Sequence, residues 1–297
     1  MAPSATGRRW LVTGAGGLLG HDLVSLLTDR ARSGDDTFTA LSRSELDITD
    51  ADAVEAAVGG HDIVLNAAAW TNVDAAESSE EAAYAVNATG AGNVAVAAAR
   101  HGARLVHVST DYVFDGTATA PYAEDAPTGP RSAYGRTKLA GEQAVLAAGG
   151  EGSVVRTAWV YGEHGPSFVA TMARLARGNG QVQVVDDQVG SPTWSRDLAG
   201  ALLALATSAA EPGIYHATNA GSTTWWGLAR AVFAGAGADP ERVAKTTSAA
   251  YQRPAPRPSY SVLATSRWSA AGLPSMREWS EALAECLPRI VAASAGT

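Results

Sequence analysis

Tyr134 and Lys138 stand four residues apart in Tyr134-Gly135-Arg136-Thr137-Lys138. On a helix, positions i and i+4 share a face, so the phenol and the ammonium point the same way. A neighbouring cation favours phenolate and is expected to lower the tyrosine pKa from its ordinary value of about 10. Such a phenol can give a proton to a carbonyl oxygen as hydride arrives at the carbon. Upstream, Ser109-Thr110-Asp111-Tyr112-Val113-Phe114-Asp115-Gly116 offers Thr110 as a donor to the developing oxyanion. A Tyr-x-x-x-Lys spacing alone is common and usually marks a surface pair. Its meaning comes from its surroundings.

The first of those surroundings is Thr13-Gly14-Ala15-Gly16-Gly17-Leu18-Leu19-Gly20, with glycines 14, 17 and 20 in a GxxGxxG spacing. Trp10-Leu11-Val12 before it reads as a buried strand, and Leu18, Leu19, Leu23, Leu26 and Leu27 after it repeat at helical spacing. Gly14 permits a tight turn, Gly17 removes a Cβ that would block a pyrophosphate, and Gly20 allows close packing. The diphosphate would sit on the helix N-terminus, with Gly16, Leu18 and Leu19 beside it. A plain strand–helix turn also explains a glycine cluster, but the position between a first strand and an amphipathic helix favours a dinucleotide. After the second strand, NAD enzymes usually place an acid on the ribose 2′-hydroxyl. Here the chain reads Ser42-Arg43-Ser44, and arginine suits a 2′-phosphate. NADPH is therefore expected. NADH stays open if Arg43 is only solvated and Asp47 serves the ribose or adenine.

These residues need a scaffold that brings them together. Strands are expected at Trp10–Val12, Thr37–Leu41, Asp62–Asn66, Leu105–Ser109 and Val154–Arg156, alternating with helices at 18–33, 51–58, 88–99 and 133–147. Uniformly apolar strands between helices imply a parallel sheet covered on both faces. The class is α/β: a doubly wound Rossmann sheet with a smaller C-terminal α/β substrate domain. The expected division is a nucleotide-binding domain over 1–157, to which the chain returns at about 181–217, and a substrate domain from 158–180 and 218–297. In the latter, helices are expected at 167–177, 224–234 and 275–292, and the Arg253–Pro258 run as an extended loop.

Composition narrows the possibilities. The 297 residues carry a net charge of −8 with no Lys/Arg cluster, which argues against nucleic acid. No leader-like apolar segment and no run of about 18 apolar residues is seen, so neither export nor a membrane span is expected. Cys286 stands alone, which fits a reducing cytoplasm and leaves no cysteine zinc site. The six histidines show no ligand spacing, and no metal is expected.

Taken together, these motifs resemble the extended short-chain dehydrogenase/reductases and, within them, the dTDP-4-dehydrorhamnose reductase branch. The resemblance spans nearly the whole chain. It rests on Val12-Thr13-Gly14 with its loop, the Asn66–Asp74 string, Ser109–Phe114, Tyr134–Glu142, Arg156–Tyr161 and Asp187–Thr193, of which Ser-Thr-Asp-Tyr-Val-Phe is the most specific. It implies Thr110, Tyr134 and Lys138 as a triad that reduces the C4 ketone of a dTDP-4-keto-6-deoxyhexose. It places Asp47 and Ile48 near adenine, with Ala67, Ala68, Ala69 and Ser109 along the cofactor groove. Val73, Asp111, Tyr112, Trp159 and Gln188 fall around the sugar, although Trp159 alone would also pass for a large core residue. Within the Gly237–Tyr260 stretch, Arg242, Lys245, Arg253 and Arg257 face only Asp239 and Glu241, and Arg257 beside prolines is placed to hold a diphosphate.

The chain departs from the family in two places. The Asn-Ser-Arg-Leu that usually follows Arg-Pro is here Ser259-Tyr260-Ser261-Val262-Leu263, so a related natural-product deoxysugar is an alternative substrate. Some relatives dimerise through Mg²⁺ held by glutamates; the matching positions here are Asp22 and Arg196, so that site is not expected, while a homodimer stays open. Two other activities share the fold: a 4,6-dehydratase or epimerase, and a non-catalytic NADP-binding regulatory subunit. Dehydratases carry a second acid after Thr-Asp, where this chain has Tyr112, and a retired site would not keep Thr110, Tyr134 and Lys138 intact.

Overall fold

The computed structural model describes residues 7–293. Strands β1 (Arg9–Thr13), β2 (Thr37–Leu41), β3 (Ile63–Asn66), β4 (Arg104–Thr110) and β5 (Gly152–Thr157) join the Gly213–His216 strand in one six-stranded sheet. Every pairing in it is parallel, and the spatial order from one edge is Gly213–His216, β5, β4, β3, β1, β2. The winding direction reverses between β1 and β3, the place where open parallel sheets leave a crevice at their carboxyl ends.

Strand periodicity assigns the two faces. Trp10, Val12, Leu65, Val106 and Val155 pack with Leu23 and Leu27 of helix α1 (Leu18–Ser33) and with Leu198 and Leu202 of the Ser195–Thr207 helix. The alternate residues Leu11, Val64, Leu105 and Val154 pack with Val54 and Val58 of α2 (Ala51–Val58), and with Val94, Ala98 and Val145. Both faces are thus covered by helices, as uniformly apolar strands require. The helix limits are set by local chemistry. The Asp50 side chain accepts from the backbone N–H of Asp52 and Ala53 to start α2, and Gly59 ends it. Likewise the Ser132 hydroxyl accepts from Gly135 N–H at the head of the Ala133–Ala147 helix.

A separate apolar cluster gathers Tyr161, Met172, Trp194, Leu228, Phe233, Leu283, Cys286 and Leu287 from the Phe168–Ala176, Trp225–Gly235 and Trp279–Ala293 helices and their neighbours. Val182–Val185 belongs to this second layer, paired in parallel with Val243–Thr246, and takes no place in the main sheet. Only Val184 of that strand is buried, whereas the central strands are buried on both faces. The chain rejoins the first layer with the Ser195–Thr207 helix, which lies on α1. The last helix starts at Trp279, not at Ser275, because Ala220 exchanges backbone hydrogen bonds with Arg277 and Trp279 and draws the preceding segment into extended pairing.

The stretch between β3 and β4 differs most from expectation. Instead of one helix over 88–99 there are helices Val73–Ser78 and Glu80–Tyr84, a π-helical turn Ala85–Gly90, and a helix Ala91–His101. Wide turns of this kind are rare and recur at functional sites. This one carries Asn87, whose side chain clamps Trp70: Trp70 N–H donates to Oδ1 at 2.8 Å, and Nδ2 donates to Trp70 O at 3.1 Å. No helix among the described residues is long and apolar enough to cross a membrane.

Candidate active site

The glycine loop leaves β1 at the sheet reversal. Gly14 has φ +74°, and a Cβ there would lie 2.6 Å from Ala68 N, so both conformation and space demand glycine. The close approach joins the loop to the Ala67–Ala69 segment after β3. Helix α1 then begins at Gly17 with no capping side chain and no acidic residue in its first turn. Its first N–H groups and dipole end are therefore available to an anion. Ala67, Ala68 and Ala69 are half-buried, Arg43 and Asp47 are exposed beyond β2, and Ile48 is buried behind them. Asp47 accepts from Thr49 N–H and Oγ1, which with Arg43 nearby holds its pKa below the usual carboxylate range. Ser42 gives its hydroxyl to Glu45.

Thr110 ends β4 in the same row. Its Oγ1 donates to Asp111 Oδ1 at 2.9 Å and accepts from Tyr112 N–H at 3.2 Å, and it lies beside the Tyr134 phenol. Gly135 allows this contact: a Cβ there would sit 2.3 Å from Tyr112 O. Six residues along, a Cβ on Gly141 would sit 2.0 Å from Asn87 O, so both helix glycines exist to admit neighbouring backbone. Burial, opposed by the neighbouring Thr110, holds the Tyr134 pKa well above that of a free phenol. This reverses the expected direction. Lys138 Nζ donates to Val108 O at 2.7 Å and lies 3.3 Å from His107 Nε2, so its charge is directed at β4 and does not count among the influences on the phenol. Tyr134 accordingly stays protonated at neutral pH, the state an acid needs. Burial also lowers Lys138 to about 8, against the opposing pull of Glu142.

Glu142 anchors the helix. It takes a hydrogen bond from Ser109 Oγ at 2.6 Å and pairs with Arg156 at 2.7 Å, all three fully buried. Ser109 thus spends its hydroxyl on the scaffold. Asp111, also buried, is raised to about 6 by its loss of water. Tyr112 is pushed up to about 12 and receives a hydrogen bond from Arg257 Nη1 at 3.2 Å.

Arg257 reaches this cluster from the proline-rich loop and pairs with Asp74 at 3.0 Å; Arg253 pairs with the same carboxylate at 2.5 Å. Val73 begins the short helix that presents Asp74. On the other side, Trp159 is the one non-glycine described with positive φ, at +47°. Its ring stacks on Trp225 at 3.6 Å and occupies the space a Cβ on Gly190 would need, 2.4 Å away. Backbone in this region is costly for a bulky residue and persists only where packing over-determines it. Gln188 is buried and donates to Ser248 Oγ at 2.7 Å, so its amide supports the loop that carries the arginines.

A family model described as the RmlD substrate binding domain matches residues 8–292. A dTDP-4-dehydrorhamnose reductase of Mycolicibacterium smegmatis is 52% identical over 97% of this chain and 87% of its own length. The chain belongs to this family, the dTDP-4-dehydrorhamnose reductase branch of the extended short-chain reductases. Another relative, a probable dTDP-4,6-dihydroxy-2-methyloxan-3-one 4-ketoreductase of Streptomyces antibioticus, is 51% identical over 96% of both chains. Among solved structures, a dTDP-4-dehydrorhamnose reductase of Bacillus anthracis in complex with NADP superposes with a TM-score of 0.89 at 35% identity, covering 95% of this chain and 99% of that one.

The fold gathers Gly14, Gly17, Ala68, Thr110, Tyr134 and Lys138 at one end of the sheet, with Tyr112 and Arg257 beside them. Sequence reasoning passed over Asn66, Asp74, His107 and Trp225, and counted Arg253 only as one of four cations in its loop. Asn66 and Asp74 lay inside a quoted motif, but their partners are far away in sequence. Nothing local marks His107 as different from any histidine in a core strand.

Proposed function

We propose that this protein reduces the C4 ketone of a dTDP-4-keto-6-deoxyhexose with NADPH, and that Thr110, Tyr134 and Lys138 carry the reaction. The carrying observation is that Thr110 closes β4 beside the buried Tyr134 phenol, with Lys138 buried one turn along the same helix. The cofactor's fit rests on the Gly14 cradle and the uncapped, acid-free start of α1. Gly14, Gly16, Gly17, Leu18 and Leu19 would receive the diphosphate, Arg43 the 2′-phosphate, Asp47 and Ile48 the adenine, and Ala67–Ala69 the groove between. When bound, NADPH supplies the hydride that the ketone carbon accepts. Tyr134, kept protonated by burial, gives its proton to the ketone oxygen. Thr110, whose hydroxyl donates to Asp111, would turn it to the developing oxyanion beside Tyr134. Arg257 and Arg253 exchange the Asp74 carboxylate for the substrate's diphosphate, while Val73, Tyr112, Trp159 and Gln188 bound the sugar. The Mycolicibacterium and Streptomyces antibioticus relatives differ in the sugar their names state, and Tyr260 and Val262 stand in the segment where this chain departs from its branch.

Loss of NADPH absorbance on adding a dTDP-4-keto-6-deoxyhexose tests the activity. Tyr134→Phe is expected to lower kcat by about 10²–10⁴ while leaving NADPH affinity within about twofold, since only the proton donor is lost. A variant at wild-type rate removes Tyr134 from the role.

A further inference from the structure

A row of buried polar side chains runs from the carboxyl ends of β1 and β3 to the middle of β4 and ends at the lysine. Thr13 Oγ1 donates to Asn66 Oδ1 at 2.7 Å, Asn66 Nδ2 meets His107 Nδ1 at 3.1 Å, and His107 Nε2 meets Lys138 Nζ at 3.3 Å. Thr13, Asn66, His107 and Lys138 are each at most 1% exposed. The direction of this row follows from one group that cannot turn. The backbone N–H of Ala68 donates to Asn66 Oδ1 at 3.2 Å, which fixes the amide oxygen on that side and the NH₂ toward His107. His107 Nδ1 must then accept. A neutral imidazole carries one hydrogen, so it resides on Nε2 and faces Lys138.

We propose that His107 is a positioning residue of this site: locked by Asn66 in the tautomer with its hydrogen on Nε2, it turns an N–H donor toward Lys138 Nζ and so opposes the ammonium form. An ammonium offers only donors, and two donors in contact repel. A neutral amine accepts from Nε2–H and still donates to Val108 O. Hydrogen bonding to the neutral form disfavours the charged one, and burial acts in the same sense. The protonation of Lys138 is thereby brought within the range where the enzyme works instead of lying far above it. The inference rests on the reductase reading for its consequence, though not for its geometry.

Other titratable groups around the lysine do not remove the effect. Glu142, one turn on, favours the ammonium but is engaged by Arg156 and Ser109. Tyr134, one turn back, is held protonated, and Asp111 at the end of β4 bonds Thr110. On the helices packed alongside, Glu77 accepts from Ala133 N–H and Glu80 pairs with Arg136. His107 itself is held neutral by burial and by the neighbouring lysine.

Two measurements test this. In ¹⁵N-histidine-labelled wild-type protein, with the His107 signals assigned by their absence in His107→Gln, Nδ1 is expected at a pyridine-type shift and Nε2 at a pyrrole-type shift. A hydrogen on Nδ1, or an imidazolium near neutral pH, overturns the proposal. In the pH profile of kcat/KM for the keto-sugar, His107→Phe removes the opposing donor, and the alkaline limb is expected to move up by about one pH unit. A variant with reduced kcat and an unmoved limb makes His107 scaffold only and also overturns it. Wild-type enzyme that binds NADPH but reduces no keto-sugar would refute the activity alone, because the tautomer is read without turnover.

Discussion

At the scale of single residues, the site holds charges where water is scarce, and each such charge has a measurable cost. Asp111 is the clearest case. Its pKa, raised to about 6, means that the folded protein binds this proton more tightly than the unfolded chain does. Stability from this group is therefore greatest at low pH and falls as pH rises from about 4 to about 6, by about 3 kcal/mol. Asp111→Asn is expected to raise the melting temperature at pH 7.5, with the difference shrinking toward pH 4. Equal melting temperatures at both pH values would contradict it. Arg43 is exposed and free to turn to a 2′-phosphate, so Arg43→Ala should weaken NADPH by about tenfold while NADH affinity changes little. Titration calorimetry with both cofactors decides this; an equal loss for both removes the contact. That Thr110, Tyr134 and Lys138 come together was legible from spacing, because i and i+4 on a helix and the end of a strand are local facts. The direction of the Tyr134 shift was not. It is set by burial of the phenol, while Lys138 turns to partners about thirty residues away on β4.

At the scale of elements, helix contacts at the site are made through glycine. Gly141→Ala gains helix propensity of about 1 kcal/mol but drives a Cβ to 2.0 Å from Asn87 O. Backbone must move, and a net loss of about 1–3 kcal/mol is expected by chemical denaturation. Gly200→Ala, in the Ser195–Thr207 helix with nothing within 4 Å, is the control and is expected to gain about 0.5–1 kcal/mol. If Gly141→Ala matched this gain, the close approach would be wrong. Elements with their own stop signals were readable in advance: α2 lies between Asp50 and Gly59, and the Tyr134 helix starts from Ser132. The Val73–Gly90 stretch was not, because short, acidic, alanine-rich turns carry no apolar period. Tertiary partners decide it: Asn87 holding Trp70, and Asp74 holding two arginines.

At the scale of the molecule, two layers share one task. The six-stranded sheet brings the glycine loop, Thr110 and the Tyr134 helix to one end. The second layer sends Arg253 and Arg257 across to Asp74 and Tyr112, and sets Trp159 on Trp225 at the margin. That the glycine loop, Thr110 and the Tyr134 helix share one end of a parallel sheet was legible from the order of strands and helices; which arginine meets which carboxylate was not, since Arg253 and Asp74 are separated by most of the chain. The central claim is that hydride reaches the sugar's C4 while Tyr134 protonates the oxygen. The most direct measurement is a single turnover of a dTDP-4-keto-6-deoxyhexose with NADPH deuterated at the nicotinamide C4 position, followed by NMR of the product. Deuterium bound to C4 of a 6-deoxyhexose, formed by wild type and nearly absent with Tyr134→Phe, is the expected result; product without deuterium at C4, or deuterium elsewhere on the ring, would contradict the account.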